Sequence, residues 1–243
     1  MAEAVLELKQ VAKRFGDIHA LRQVSLHVHR GEVYGIIGPN GVGKSTIVKL
    51  VAGLYVPTRG SITIDGIDAA ASPAAAKARV GYVPDEPFGD EGLTGREFLE
   101  FIGELYGMDR AFRDGEIDRR LVDTGLLRSA ALPLRRLTRG ARQLLAFAAA
   151  LMHQPALLII DDPMHGLDPG GVMVVGRMVR EFAAGGGAVL LVTNTLSVVE
   201  EMCHRVGVLK SGTLLVDGRV SQVKAKGGAV HGSLAEAYAR LIL

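Results

Sequence analysis

The chain has 243 residues, 48% of them hydrophobic, and a formal net charge of +2. That is enough chain and apolar content for one large α/β domain with a sizeable core, so a disordered chain is excluded; a near balance of charge with no basic block excludes an obligatory nucleic-acid partner. The single cysteine, Cys203, excludes an internal disulfide, suits a reducing compartment and reads as a small apolar helix residue.

The N-terminal stretch MAEAVLELKQ lacks the basic-then-apolar pattern of a secretion signal. VLELKQVAKRF and QVSLHVHRGEVYGIIG alternate apolar and polar residues in places and predict early strands, the second closing on a buried run from Val33 to Ile37. A glycine-rich turn follows, then KSTIVKLVAGL, with apolar residues at helical spacing and Gly53 as a stop. GSITIDG (60–66) and RVGYVP (79–84) predict two further short strands.

Residues 86–134 change character and predict a helical insert. Thr94 and Glu97 have the spacing of a capping box, and Phe98, Phe101, Ile102 and Leu105 then fall on one helix face. A second helix is expected through GEIDRRLVDTGL. From about residue 137 strand–helix alternation resumes, with ALLIID and AVLLVT as buried parallel strands and a hairpin over 205–218 turning at Ser211–Gly212. The tail, 219–243, predicts a closing helix, SLAEAYARLIL. The longest apolar run, LLAFAAALM (144–152), falls well short of the roughly 18 residues that a membrane span needs, so membrane contact is expected only through a partner.

Two stretches carry chemistry. GPNGVGKST (38–46) matches G-x-x-x-x-G-K-[ST] between a predicted strand and a predicted helix. Glycines at 38, 41 and 43 let backbone N–H groups approach phosphates without a Cβ in the way, and the helix N-terminus adds partial positive charge. Lys44 can reach the β- and γ-phosphates, and Ser45 can ligate Mg²⁺. The whole loop is assigned to the nucleotide: Gly38, Pro39, Asn40, Gly41, Val42, Gly43, Lys44, Ser45 and Thr46. The second stretch, LLIIDDPMHGLDP (157–169), ends a buried strand in Asp161, which can hold Mg²⁺ through water, followed by Asp162 and a turn carrying Asp168.

The order of motifs resembles the ATP-binding subunit of ABC transporters over nearly the whole chain. Phe15, in KRFG, sits where that family stacks the adenine ring. VGYVPDEP is similar to its Q-loop, LTRGARQLLAFAAALMHQPALLIIDDP to its signature running into the second nucleotide motif, HGLDP to its D-loop, and LLVTN to the strand and switch residue that follow. LTGREFLEFIGELYG looks most like the ABC-2 type export branch. The resemblance implies a P-loop NTPase (RecA-like) α/β fold: a parallel-sheet core with an N-terminal antiparallel β-subdomain and a helical insert. One ABC domain would span 1–243, with the insert at 86–134 and a short helical tail at 219–243. Two such subunits, alike or different, would pair head to tail around two ATP molecules with Mg²⁺, each ATP between one subunit's phosphate loop and the other's signature. They would drive transmembrane permease subunits from the cytoplasmic face of the membrane, attached peripherally, with no direct contact to nucleic acid.

Four positions depart from the family's pattern, all near the expected γ-phosphate. Asp85 replaces the Q-loop glutamine, Leu137–Thr138–Arg139–Gly140 stands for the usual L-S-G-G, Asp162 replaces the catalytic glutamate, and Asn194 replaces the switch histidine. Asp162 keeps the charge but draws the carboxylate back by roughly 1 Å or more, a misplacement that costs on the order of 10²-fold in rate. Asn194 donates a hydrogen bond but carries no proton. Asp85 offers Mg²⁺ a carboxylate or, away from the metal, repels the phosphates. Thr138 keeps the hydroxyl that would meet the γ-phosphate. Arg139 either obstructs closure of the dimer or lies against the phosphates as an arginine finger. Intact binding residues beside altered chemical ones predict tight Mg-ATP binding with slow hydrolysis, so catalytic roles fall to Asp162, Asn194 and Asp85 and metal roles to Ser45, Asp85 and Asp161.

Three functions compete at this point: the energy-coupling subunit of a transporter, an exporter by preference; a regulatory ATP-binding module of such a complex; and, ranked last, a soluble ABC protein acting on nucleic acid, which would bring coiled-coil or zinc-finger insertions that the chain lacks. His153 and His165 show no metal-ligand spacing and read as surface or loop residues. The basic stretch RLTRGAR faces either solvent or phosphate. Phe88 and the Phe98–Leu105 helix belong either to the core or to a groove for a membrane partner.

Overall fold

The computed structural model describes residues 3–87, 89–162, 164 and 166–242; Phe88 and His165 therefore lie outside the described residues. The chain opens with two long strands, β1 (Ala4–Phe15) and β2 (Ile18–His29), whose alternating burial matches the alternating sequence. They pair antiparallel, and with β4 (Arg59–Ile64) and β5 (Ile67–Asp68) they form a four-stranded sheet in the order β2-β1-β4-β5. Between them run β3 (Val33–Ile37), buried at every residue, and helix α1 (Lys44–Val51).

Past the short helix α2 (Pro73–Lys77), the chain adds β6 (Val80–Val83) and enters a helical segment of α3 (Gly95–Leu105), α4 (Arg110–Asp123) and α5 (Arg139–Met152). Then follow β7 (Leu157–Asp161), α6 (Pro169–Ala184), β8 (Ala188–Val192), α7 (Leu196–Met202) and the hairpin β9 (Arg205–Lys210) and β10 (Thr213–Arg219). The second sheet has the order β10-β9-β3-β8-β7-β6, parallel throughout except for the β9–β10 hairpin. Its turn places Ser211 and Gly212 at φ 51° and 77°, as a two-residue hairpin requires. No helix among the described residues is long and apolar enough to cross a membrane.

The fold is therefore the α/β class expected, a P-loop core with an N-terminal antiparallel β-subdomain and a helical insert. Two elements differ in detail. In α3 the buried stripe runs through Gly95, Leu99 and Gly103, while Phe101 and Leu105 are 50% and 67% exposed. The glycines decide this: a Cβ on Gly95 would lie 3.2 Å from Ala130 Cα, and one on Gly103 would lie 2.6 Å from Arg113 Cδ. The helix thus turns its smallest residues inward, which spacing of large apolar residues alone does not reveal. In the tail, two helices replace the single predicted one: α8 (Val220–Lys226) and α9 (Leu234–Ile242). Glu200 ties them together, accepting from Lys224 Nζ at 2.7 Å and from Leu234 N at 2.9 Å.

Candidate functional site: a phosphate-loop cleft

Four neighbouring parallel strands, β3, β8, β7 and β6, end on one side of the sheet, and the segments leaving them carry the residues singled out in the sequence. Open sheets of this kind hold ligands outside the carboxyl ends of their strands. A cleft of 350 Å³ lies there, lined by Asn40, Gly41 and Gly43 to Thr46 of the loop after β3, by Asp85, by Asp161 and Asp162, and by Val192 to Asn194.

The loop is held from behind by close approach. A Cβ on Gly38 would lie 2.4 Å from Leu209 O, and one on Gly43 would lie 2.6 Å from Ala20 O, so neither position admits a side chain. Gly43 also has φ 110°, which turns the chain into α1. No side chain caps α1, leaving its first N–H groups turned to the cleft with the positive end of the helix dipole. Lys44 folds back over the loop, its Nζ donating to Gly38 O at 2.7 Å and Pro39 O at 2.9 Å. Burial lowers its pKa, and the charges of Asp161 and Asp162 work in the opposite direction.

Facing this loop are carboxylates. Burial, then the nearby charges of Asp85 and Asp162, pushes Asp161 up to about 6, against the pull of Lys49 and Lys44. Burial, then the charges of Asp161 and Asp85, pushes the Tyr82 phenol up to about 12. Asp162 sits at φ 47°, its N–H donating to Val192 O at 2.7 Å and its Oδ1 accepting from Thr193 Oγ1 at 2.9 Å. Asn194 Nδ2 donates to Asn40 Oδ1 at 3.0 Å, so Asn194 touches the loop after β3 directly. Asp161 and Asp85 line the cleft across from the Ser45 hydroxyl, and although no group of three or more acids or histidines among the described residues could by itself hold a metal, hard oxygens of this kind suit Mg²⁺, which takes one or two carboxylates and keeps its other sites for water and phosphate.

Other predicted residues are not among the described residues that line the cleft. Phe15 is 41% exposed and meets Tyr55 edge-on, the ring centroids 5.3 Å apart, with Lys13 Nζ 5.0 Å from the Phe15 centroid. Thr138 caps α5, its hydroxyl accepting from Ala141 N at 3.1 Å, and Asp168 caps α6, its carboxylate accepting from Gly171 N at 2.7 Å. A Cβ on Gly140 would lie 3.0 Å from Gly166 O, so the signature glycine packs on the chain's own D-loop. Arg139 Nη2 reaches Asp85 Oδ1 at 3.7 Å in the same chain.

Sequence reasoning missed several participants. His19 lines the cleft from β2, and its only signal was proximity to Phe15. Gln143 is fully buried and donates from Nε2 to Pro84 O at 3.2 Å, tying α5 to the segment carrying Asp85. His153 lies in the turn that follows α5, a loop position as expected, but it is partly buried rather than on the open surface. It stacks on Tyr106 with centroids 3.7 Å apart, bonds to Val80 O at 3.0 Å, and is held down to about 4 by burial. A larger groove of 530 Å³ at the opposite ends of the strands is lined by arginines paired with acids, such as Arg30 with Asp65, and contains no phosphate loop.

Comparison with known proteins agrees with this fold. The ABC transporter family profile matches residues 21–165. A daunorubicin resistance ATP-binding protein, DrrA3 of Streptomyces coeruleorubidus, is 33% identical over 94% of this chain and 72% of its own length. The Nod factor export ATP-binding protein I of Sinorhizobium fredii is 34% identical over 90% of this chain, which spans 64% of it. Among solved structures, an ATP-binding subunit of an ABC transporter superposes with a TM-score of 0.92 at 31% identity, covering 98% of this chain and 99% of that one. A dimeric ATP-binding cassette in a post-hydrolysis state, bound to ADP and Pi, superposes with a TM-score of 0.80 at 26% identity, covering 88% and 98%. With the family profile spanning the phosphate loop, the Q-loop segment and Asp161 alike, the chain belongs to the ABC transporter family.

Proposed function

We propose that this chain is the ATP-binding, energy-coupling subunit of a membrane exporter and that it binds Mg-ATP firmly but hydrolyses it slowly. The observation that carries the reading is the phosphate loop: held by backbone contacts at Gly38 and Gly43, opening an uncapped helix, and facing Asp161 and Asp162. The export assignment rests on the relatives' roles in drug resistance and Nod factor export. Such a subunit works peripherally on the cytoplasmic face of a permease, and as a head-to-tail pair with a second ATP-binding subunit.

Loop N–H groups and the α1 N-terminus would hold the β- and γ-phosphates, and Lys44 would leave Gly38 and Pro39 for the phosphate oxygens. Ser45 and Asp161, with Asp85 lining the same cleft, would hold Mg²⁺, which would neutralise charge on the phosphates. Phe15 would stack on adenine. Asp162 would orient the attacking water and take its proton, but its carboxylate is short and already engaged by Thr193. Asn194 would donate to the γ-phosphate from beside Asn40 without supplying a proton.

The test is a paired measurement of Mg-ATP affinity and steady-state hydrolysis on the full chain, repeated with Asp162→Glu and Asn194→His together. Tight binding is expected, with turnover that the double change raises about 10- to 100-fold. Brisk turnover by the unchanged chain would overturn the slow-hydrolysis reading.

A further inference from the structure

The segment AAASPAAAKA (69–78), which contains helix α2, is built mostly from alanine. It packs against larger neighbours, and the small side chains leave a gap. Leu50 and Val51 of α1, Ile62 and Ile64 of β4, and Ala69 and Ala76 share the lining of a cavity of 270 Å³. All of these except Ala69 are at least 96% buried. Apolar walls give water few hydrogen bonds, whereas an apolar occupant regains the dispersion contacts that the lining lacks. The volume is just below that of sites for drug-sized ligands, so the occupant is small.

Two charged residues, Asp68 and Lys77, also line the cavity. Asp68 is already engaged: its Oδ1 accepts from Ala70 N at 2.8 Å and from Ala71 N at 3.0 Å. Lys77 is exposed and has no hydrogen bond or ion pair among the described residues. Its stem crosses Gly53, where a Cβ would lie 2.7 Å from Lys77 Cε and 3.4 Å from Cγ. The ammonium is therefore the charge that the lining leaves uncommitted. A cationic ligand would be repelled by Lys77 and would compete with two backbone N–H groups for Asp68.

We propose that this cavity binds a small amphiphile with an aliphatic body and one carboxylate, the body against Leu50, Val51, Ile62 and Ile64 and the carboxylate on Lys77. The site shares no lining residue with the phosphate-loop cleft, so it goes beyond the nucleotide reading and does not depend on it.

The test is calorimetric titration of the full chain, Lys77→Gln and Ala69→Leu with octanoate, 1-octanol and octylamine, which share a body and differ in the head. One octanoate per chain is expected to bind to the unchanged protein with a Kd of roughly 0.1 to 1 mM, in keeping with about ten non-hydrogen atoms. Octanol and octylamine should bind more weakly. Lys77→Gln should weaken octanoate roughly two- to fivefold, the scale of an exposed ion pair, and leave octanol unchanged. Ala69→Leu, which puts a branched side chain into the cavity, should abolish binding of both; a urea midpoint shows whether that variant is folded. If it is not, Lys77→Gln and the comparison of heads still decide. Four results overturn the site: no octanoate binding at several times the expected Kd, octanol or octylamine binding as tightly as octanoate, octanoate affinity unmoved by Lys77→Gln, or unchanged binding in folded Ala69→Leu.

Discussion

Two partly buried titratable residues pull the acid stability of this chain in opposite directions. His153 is held at about 4 by burial, below its unfolded value near 6.5, so the unfolded chain takes up a proton first as pH falls. Its contribution is present above about pH 6.5 and is lost between 6.5 and 4, on the order of 2 kcal/mol. Asp161, raised to about 6, has the other sign: the folded chain keeps a proton there that the unfolded chain has lost, so stability rises as pH falls from about 6 to about 4. The two nearly cancel in the native chain. His153→Gln should therefore gain stability on acidification across this window relative to wild type, and Asp161→Asn should lose it. Urea midpoints at pH 7, 6, 5 and 4 check this; parallel profiles for all three proteins would refute the assignment. Both shifts depend on tertiary packing, which is why the sequence marked His153 only as an unremarkable histidine.

At the scale of elements, what was legible in the sequence is what local backbone chemistry decides. The capping box at α3 stands as expected: Glu97 N donates to Thr94 Oγ1 at 3.2 Å, and Thr94 N donates to Glu97 Oε2 at 2.7 Å. Thr94→Ala should cost about 1 kcal/mol, read as a lower urea midpoint with Mg-ATP affinity unchanged, since α3 lies away from the cleft. An unchanged midpoint would mean that packing through Leu99 alone fixes this end of α3. The phosphate loop and the strand-end Asp161 were legible for a similar reason, being fixed by a glycine pattern and a buried run beside it. The buried face of α3 was not, because glycines at 95 and 103 carry no hydrophobic signal yet permit the closest approach. Nor was the Asp85–Arg139 contact, which joins segments brought together only when α5 packs on β6. Thr138 and Asp168 teach the reverse lesson: each has a sufficient local task as a helix cap, so a motif role for either must come in addition to that one.

For the whole molecule the question is what ATP does to association. Thr138 to Gly140 are not among the described residues that line the cleft, which their segment meets through Arg139 and Asp85, so in the proposed pair a second subunit would have to bring its own such segment to the nucleotide. Closure of the proposed pair would be a population shift, and moving it from about 1% to about 99% needs roughly a 10⁴-fold preference of ligand for the closed form. Two Mg-ATP molecules, each favouring closure about 100-fold, supply that. The proposed slow hydrolysis would then matter, because a closed pair would last only as long as its ATP. Sedimentation velocity should find the chain monomeric without nucleotide and with ATP in EDTA, and dimeric in Mg-ATP. Lys44→Ala should stay monomeric throughout, having lost the cation that meets the phosphates. Asp162→Glu with Asn194→His should dimerise only briefly in Mg-ATP and persistently with a non-hydrolysable analogue. A native chain that binds Mg-ATP tightly yet stays monomeric at every concentration would rule out the homodimer and direct the search to a partner subunit of different sequence.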